Sequence, residues 1–511
     1  MEEALRQTLL ANVYDVAEET PLQLAPKLTS QLGHDVYLKR EDLQSVHSFK
    51  LRGAYNKMSQ LTPDERKKGV IAASAGNHAQ GVALSAKKLG ISALIVMPRT
   101  TPSIKVEAVQ SYGAEVVLFG DSYSDAYEHS QAIIKSSGRV FIHPFDDPLV
   151  IAGQGTVGRE ILEQNPNVTH IFVPVGGGGL LAGIAQYVKA IRPDVIIIGV
   201  EPEDSAAMHA SLKANKRVIL PHVGIFADGV AVKQVGEHTF ATAKKYVDKV
   251  ITVNVDQVCA AIKSIFEETR SIVEPAGALA TAGIQALAHE LPSKSVSVAI
   301  CSGANMTFER LQFIAERTLL GSGKEALFAV RLLEQPGALR HFCKEVVNGY
   351  AITEFSYRLT SRNEAYICVG IGVPSEKDKQ AFVGHLDKYN YTYHDLSLDE
   401  LAKEHIRHMI GGTSSEAKHE HLYDIQFPER PGALNDFLQA IGNNWNISLF
   451  HYRGQGADTG HVLIGFEASD VKTLEATLAE TTYDFSRVES TAADLFLASK
   501  QGVIPQNKRL P

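Results

Sequence analysis

One lysine, Lys50, lies between an aromatic residue and an arginine in VHSFKLRGA, residues 46 to 54. Most lysines are solvated surface cations. A lysine beside Phe49 at a helix start, near the positive ends of further helices, loses its proton readily and becomes a nucleophilic amine. Which description applies depends on its neighbours, and three loops elsewhere in the chain bear on it. GGGGL, Gly176, Gly177, Gly178, Gly179 and Leu180, follows the apolar run HIFVPV and opens the helical pattern LLAGIAQYVKAI. Glycines there let backbone N–H groups ring an anion, and the helix dipole adds about half a positive charge, so a phosphate is expected. The spacing is neither GxGxxG nor a P-loop with its Gly-Lys-Ser/Thr tail.

The second loop, SAGNHAQG (74 to 81), follows the run VIAAS and also opens a helix. The amides of Ser74, Ala75, Gly76, Asn77 and His78 suit a carboxylate, while Asn77 offers an amide donor to an oxyanion. An ordinary helix start is the plainer reading of this loop. In the third, CSGAN (301 to 305), Ser302 is placed at the tip of the run VSVAIC, either facing the same crevice or acting as a helix cap. A phosphate cradle and a nucleophilic lysine together suit a Schiff base with pyridoxal phosphate.

Elements that would position these groups are legible from about residue 35 to 320. Short β-branched runs, VIAAS, ALIVM (93 to 97), EVVLF (115 to 119), HIFVPV (170 to 175), VIIIGV (195 to 200) and VSVAIC (296 to 301), alternate with amphipathic stretches such as SIKVEAVQSYG. This rhythm predicts an α/β domain with a parallel sheet covered on both faces and ligands at the strand ends.

After about residue 322 the pattern changes. LFAVRLLEQPGALRHFCKEV (327 to 346) returns as LYDIQFPERPGALNDFLQAI (422 to 441), with Pro-Gly-Ala-Leu at 336 to 339 and at 431 to 434, an offset of 95 residues. Each copy reads strand, helix, two strands, helix, strand, the order of a ferredoxin-like sandwich. GGTSSEAKHEH (411 to 421) is the expected hinge. The proline and glycine fix either a structural turn alone or one that meets the charged ends of a small amino acid.

Bulk properties narrow the class. With 511 residues, two to four domains are expected. A net charge of -8 without a basic stretch disfavours nucleic acid, and no run of about 18 apolar residues supports a membrane role. MEEALRQTLL lacks the order of a signal peptide, and Cys259, Cys301, Cys343 and Cys368 show no metal-ligand spacing. A cytoplasmic address with reduced thiols is expected.

HSFKLRGA, SAGNHAQG, GGGGL and CSGAN, in this order, resemble the serine/threonine dehydratase family of fold type II pyridoxal-phosphate enzymes. With the duplicated module, which looks like paired ACT-like domains, the resemblance is to its biosynthetic threonine deaminase branch and covers nearly the whole chain. It implies a two-part catalytic domain over 1–321 and ACT-like βαββαβ domains over 322–412 and 413–511. Lys50 would then be the Schiff-base lysine, with Phe49 beside the cofactor, Asn77 on its ring hydroxyl, Gly176 to Leu180 on its phosphate and Ser302 at its pyridine nitrogen. Ser74, Ala75, Gly76, Asn77 and His78 would hold the carboxylate of L-threonine. Racemases of the group carry serine at the position of Ala75, so elimination is implied. Some relatives hold a divalent cation, to which Glu201 could contribute; the residue reads rather as a strand-end carboxylate, and no metal is assigned. The resemblance further implies 2-oxobutanoate and ammonia as products, inhibition by isoleucine opposed by valine, and a homotetramer.

Overall fold

The structure is a computed structural model and describes residues 2–333, 341–347, 349–359, 364–408, 419–428, 436–437, 440–441, 445–453 and 459–497. It divides into two compact units, Met1–Thr318 and Leu319–Pro511. In the first unit, β1 (Leu22–Leu24), β2 (Asp35–Lys39), β3 (Val70–Ala73), β4 (Ala93–Met97), β5 (Glu115–Leu118), β6 (Val140–Phe141), β7 (His170–Pro174), β8 (Ile196–Pro202), β9 (Lys249–Val253) and β10 (Val296–Ile300) make two sheets. One has the order β1-β2-β10-β7-β8-β9, the other β5-β4-β3-β6. All pairings are parallel except that of the edge strand β1 with β2.

The six apolar runs of the sequence are β3, β4, β5, β7, β8 and β10. β3, β4 and β7 are buried at every position, as strands covered by helices on both faces must be. Four further strands, β1, β2, β6 and β9, complete the sheets. Because β7 and β10 are parallel neighbours, the GGGGL and CSGAN loops leave the sheet at the same edge. The SAGNHAQG loop leaves β3 of the other sheet, and its helix Asn77–Leu89 packs on the helix Lys50–Ser59. Gly81 allows that approach, since a Cβ there would lie 3.0 Å from the backbone nitrogen of Leu51.

The second unit contains two four-stranded antiparallel sheets. β11 (Glu325–Leu333), β12 (Ala351–Leu359), β13 (Glu364–Gly372) and β14 (Thr392–Asp395) have the order β12-β13-β11-β14. β15 (Glu420–Pro428), β16 (Asn446–Arg453), β17 (Thr459–Glu467) and β18 (Phe485–Arg487) repeat it as β16-β17-β15-β18. This is the strand order of the ferredoxin-like sandwich, once per copy. Along β11, Ala326, Phe328 and Val330 face a core with Phe382 and Leu386 of the helix Glu376–Lys388. Leu327 and Ala329 alternate onto the other face and share a core with Leu422 and Leu463 of the second sheet. Burial on both faces is the reason LFAV is apolar without a break. Both Pro-Gly-Ala-Leu turns, and most of the expected hinge, lie outside the described residues.

Candidate active site

Lys50 opens the helix Lys50–Ser59, which directly follows Phe49. Its Nζ donates to the carbonyl of Pro144 at 3.3 Å and lies 5.3 Å from the centroid of the Phe49 ring. Burial pushes the amine down to about 8, while the Glu274 carboxyl draws it back up. Exclusion of water is the first cause of that lowering. Near neutral pH such an amine carries a usable neutral fraction, which a solvated lysine lacks.

Beside Pro144, Phe145 packs on the glycine loop. A Cβ on Gly177 would run into the Phe145 ring, and one on Gly179 would meet the Phe145 Cα at 3.0 Å. Gly178 has φ +94°, a left-handed conformation that strains any residue with a side chain. The Gly177 carbonyl is pinned by the hydroxyl of Thr239 at 2.7 Å and the amide of Gly236 at 3.3 Å. With the carbonyl turned away, the first amides of the helix Gly179–Ile191 point forward without intrahelical partners, an anion site.

At the SAGNHAQG loop, Ser74 Oγ accepts from the Gly76 amide at 3.3 Å and so shapes the turn into the helix. A Cβ added to Gly76 would meet no atom within 4 Å, so the loop borders open space. Asn77 Nδ2 donates to Glu274 Oε1 at 2.6 Å, and Asn77 Oδ1 accepts from Asn305 Nδ2 at 2.7 Å. The His78 ring is engaged within the protein: its Nε2 bonds the Ile142 carbonyl at 2.8 Å, and burial pushes its pKa down to about 3. A neutral, occupied imidazole leaves only its backbone amide for a substrate. Ala75 presents a methyl group. Ser302 is buried, donates to the Ala276 carbonyl at 3.3 Å, and accepts at its own carbonyl from the Phe49 amide at 3.3 Å.

These contacts bring together Lys50, Phe49, the 74–78 loop, Gly176 to Gly179 and Ser302. The donor set fits pyridoxal phosphate: two helix N-termini for anions, an amine of lowered pKa, an amide donor and an uncharged hydroxyl. Sequence reasoning missed Glu274 and Asn305. Asn305 belongs to CSGAN but had no assigned role, and Glu274 before Pro275 has the signature of a helix start. A triad of Asp228 with Lys105 at 2.8 Å and Arg310 at 3.2 Å was also missed; these cations hold the Asp228 carboxyl below the usual carboxylate range.

Behind the site, Arg52 is fully buried. It pairs with Glu41 at 2.8 Å and Glu160 at 2.6 Å, and Lys39 completes the network on Glu160 at 2.6 Å. Glu201 has its oxygens bonded to the amides of Met208 and His209 at 2.8 and 2.7 Å, and burial raises it to about 8.

Residues 13–303 match a family described as pyridoxal-phosphate dependent enzyme. Residues 316–406 and 411–497 each match the C-terminal regulatory domain of threonine dehydratase. The L-threonine dehydratase biosynthetic IlvA of Burkholderia multivorans is 50% identical over 96% of this chain and 97% of its own length. That of Escherichia coli is 46% identical over 97% of both chains. A solved structure, the processed form of threonine deaminase isoform 2 from Solanum lycopersicum, is 50% identical with a TM-score of 0.61, covering 62% of this chain and 92% of that one.

Proposed function

The chain belongs to the biosynthetic threonine dehydratase family of pyridoxal-phosphate lyases, and from that membership we propose that it converts L-threonine to 2-oxobutanoate and ammonia, inhibited by isoleucine and relieved by valine. This is the committed step toward isoleucine. Catalysis is assigned to residues 1–321 and regulation to the ACT-like copies at 322–412 and 413–511. A homotetramer in the cytoplasm completes the reading.

Bound pyridoxal phosphate supplies an electron sink for negative charge at the substrate α-carbon. Lys50 would hold it covalently, Gly176 to Leu180 its phosphate, Asn77 its ring oxygen and Ser302 its ring nitrogen. The free Lys50 amine would be the base for the α-proton, and its lowered pKa keeps part of it neutral near pH 8. The amides at 74–78 orient the substrate carboxylate. Ala75 has no proton to deliver to the opposite face, so the α-carbon is not reprotonated there and loss of the β-hydroxyl is favoured.

The observation that carries this reading is the meeting of the Lys50 amine, the glycine loop and the Asn77 amide on one crevice. Assay of the full chain for 2-oxobutanoate from threonine, with isoleucine and with isoleucine plus valine, tests both halves. Absence of 2-oxobutanoate rejects the chemistry; activity indifferent to isoleucine rejects the regulation. Gly177→Ala is expected to weaken cofactor binding about 5- to 150-fold, the equivalent of about 1–3 kcal/mol of overpacking against Phe145. Fluorescence titration of the apoenzyme reads this, and unchanged affinity would place the phosphate elsewhere.

A further inference from the structure

The turn that begins the helix Pro275–Ala286 reaches three parts of the site at once. Glu274 occupies the N-cap position, yet its side chain makes no capping bond to that helix. Its Oε1 instead accepts from Asn77 Nδ2 at 2.6 Å, and its backbone N–H donates to the Gly303 carbonyl at 3.1 Å. Two residues on, the Ala276 carbonyl accepts from Ser302 Oγ at 3.3 Å. A single turn therefore holds the two side chains read above as meeting the polar atoms of the cofactor ring.

Asn77 is gripped from both ends. Its oxygen accepts from Asn305, which also donates to the Val46 carbonyl at 2.8 Å, so the amide oxygen has a donor on its side. Its nitrogen faces Glu274. An amide nitrogen carries two N–H groups, and with one given to Glu274 the other is left for the crevice.

Glu274 is buried, with 3% of its surface exposed. Burial pushes its carboxyl up to about 7, Asp228 adds to the rise, and Asn77, Lys105 and Arg310 oppose it. Lys50 faces it from the helix Lys50–Ser59. An anionic ring oxygen and a substrate carboxylate close by disfavour a further negative charge, so the protonated carboxyl is the form compatible with a loaded site.

We propose that Glu274 is a positioning residue for the cofactor ring, its carboxyl fixing the Asn77 amide with one N–H toward the ring oxygen while holding its own proton. This rests on the assignment of Asn77 to the ring oxygen. The carbonyl oxygen of a protonated carboxyl still accepts, so orientation survives while the extra charge is avoided.

The test measures pyridoxal phosphate affinity of the full-length apoenzyme by fluorescence titration from about pH 6 to pH 8.5, with kcat and KM, for the parent, Glu274→Gln, Glu274→Ala and Asn77→Ala. Asn77→Ala and Glu274→Ala are each expected to weaken binding about 5- to 150-fold, the range for losing a buried hydrogen bond, with kcat falling more than KM changes. Glu274→Gln keeps an acceptor without a titrating proton and is expected within about threefold of the parent at low pH. The ratio of parent to Gln dissociation constants then rises at least about threefold toward high pH, as the parent carboxyl ionises. Normal binding by Asn77→Ala overturns the site assignment itself. Weak binding by Asn77→Ala with normal binding by Glu274→Ala overturns the inference alone. Should Glu274→Ala fail to fold, a flat parent-to-Gln ratio across the range, or weak binding by the Gln variant at low pH, overturns it.

Discussion

Lys50→Ala is expected to lower kcat by about 10⁴-fold or more, because it removes the base for the α-proton together with the covalent hold on the cofactor. The visible absorbance of a covalently held cofactor should vanish with it. The fold should survive. Lys50 makes one side-chain hydrogen bond, to the Pro144 carbonyl at 3.3 Å. Its pKa is lowered from 10.5 to about 8, so the folded state pays to keep the amine charged below that pH. Alanine removes this cost. Compared as apoenzymes, the variant should accordingly melt no lower than the parent at neutral pH, and any gain should shrink as pH rises from about 8 to 10.5, where the parent amine becomes neutral in both states. Substantial turnover in Lys50→Ala, measured as 2-oxobutanoate release, would contradict the assignment.

Arg52→Met should act in the opposite sense, on stability first. Nε, Nη1 and Nη2 of Arg52 all donate, to Glu41, Glu160, Thr156 and the Glu18 carbonyl. Removing the guanidinium strands two buried carboxylates, one of them still paired with Lys39. Breaking a buried pair from one side costs about 3–5 kcal/mol, since the remaining charge stays desolvated. Urea unfolding of the catalytic unit within the full chain reads this loss. Adding Glu41→Gln to Arg52→Met should recover part of it, because one stranded charge is then gone. A loss below about 1 kcal/mol would mean that water reaches the network. Arg52 lies two residues after Lys50 on the same helix, so cofactor affinity should fall alongside stability.

Local patterns made much of this protein legible. The runs that became β3, β4, β7, β8 and β10 are apolar because parallel strands inside a covered sheet are buried on both faces, and that constraint is written into consecutive residues; β5, at a sheet edge, shares the pattern but is exposed at both ends. The duplication is equally local: one spacing, repeated after 95 residues, announces two modules, and each forms its own ferredoxin-like sheet. The glycine loop, the Ser74 to His78 turn and Ser302 could be marked as anion or cofactor contacts because each is a strand end followed by a helix start or turn, a geometry that residue types alone suggest.

Tertiary structure decided how those pieces are used. The sequence shows Glu274-Pro275 as a helix start, and only packing turns that carboxyl onto Asn77, 197 residues earlier in the chain. The His78 amide was legible as part of the loop, while the partner of its ring, the Ile142 carbonyl, was set by packing. Nothing in HSFKLRGA marks Arg52 for burial, yet it lies fully buried between Glu41 and Glu160. Lys50 was marked by its motif, while its lowered pKa comes from water exclusion by elements distant in sequence. Backbone preference and periodicity act over a few residues and can be read along the chain; burial and charge pairing depend on which distant segments the fold brings together.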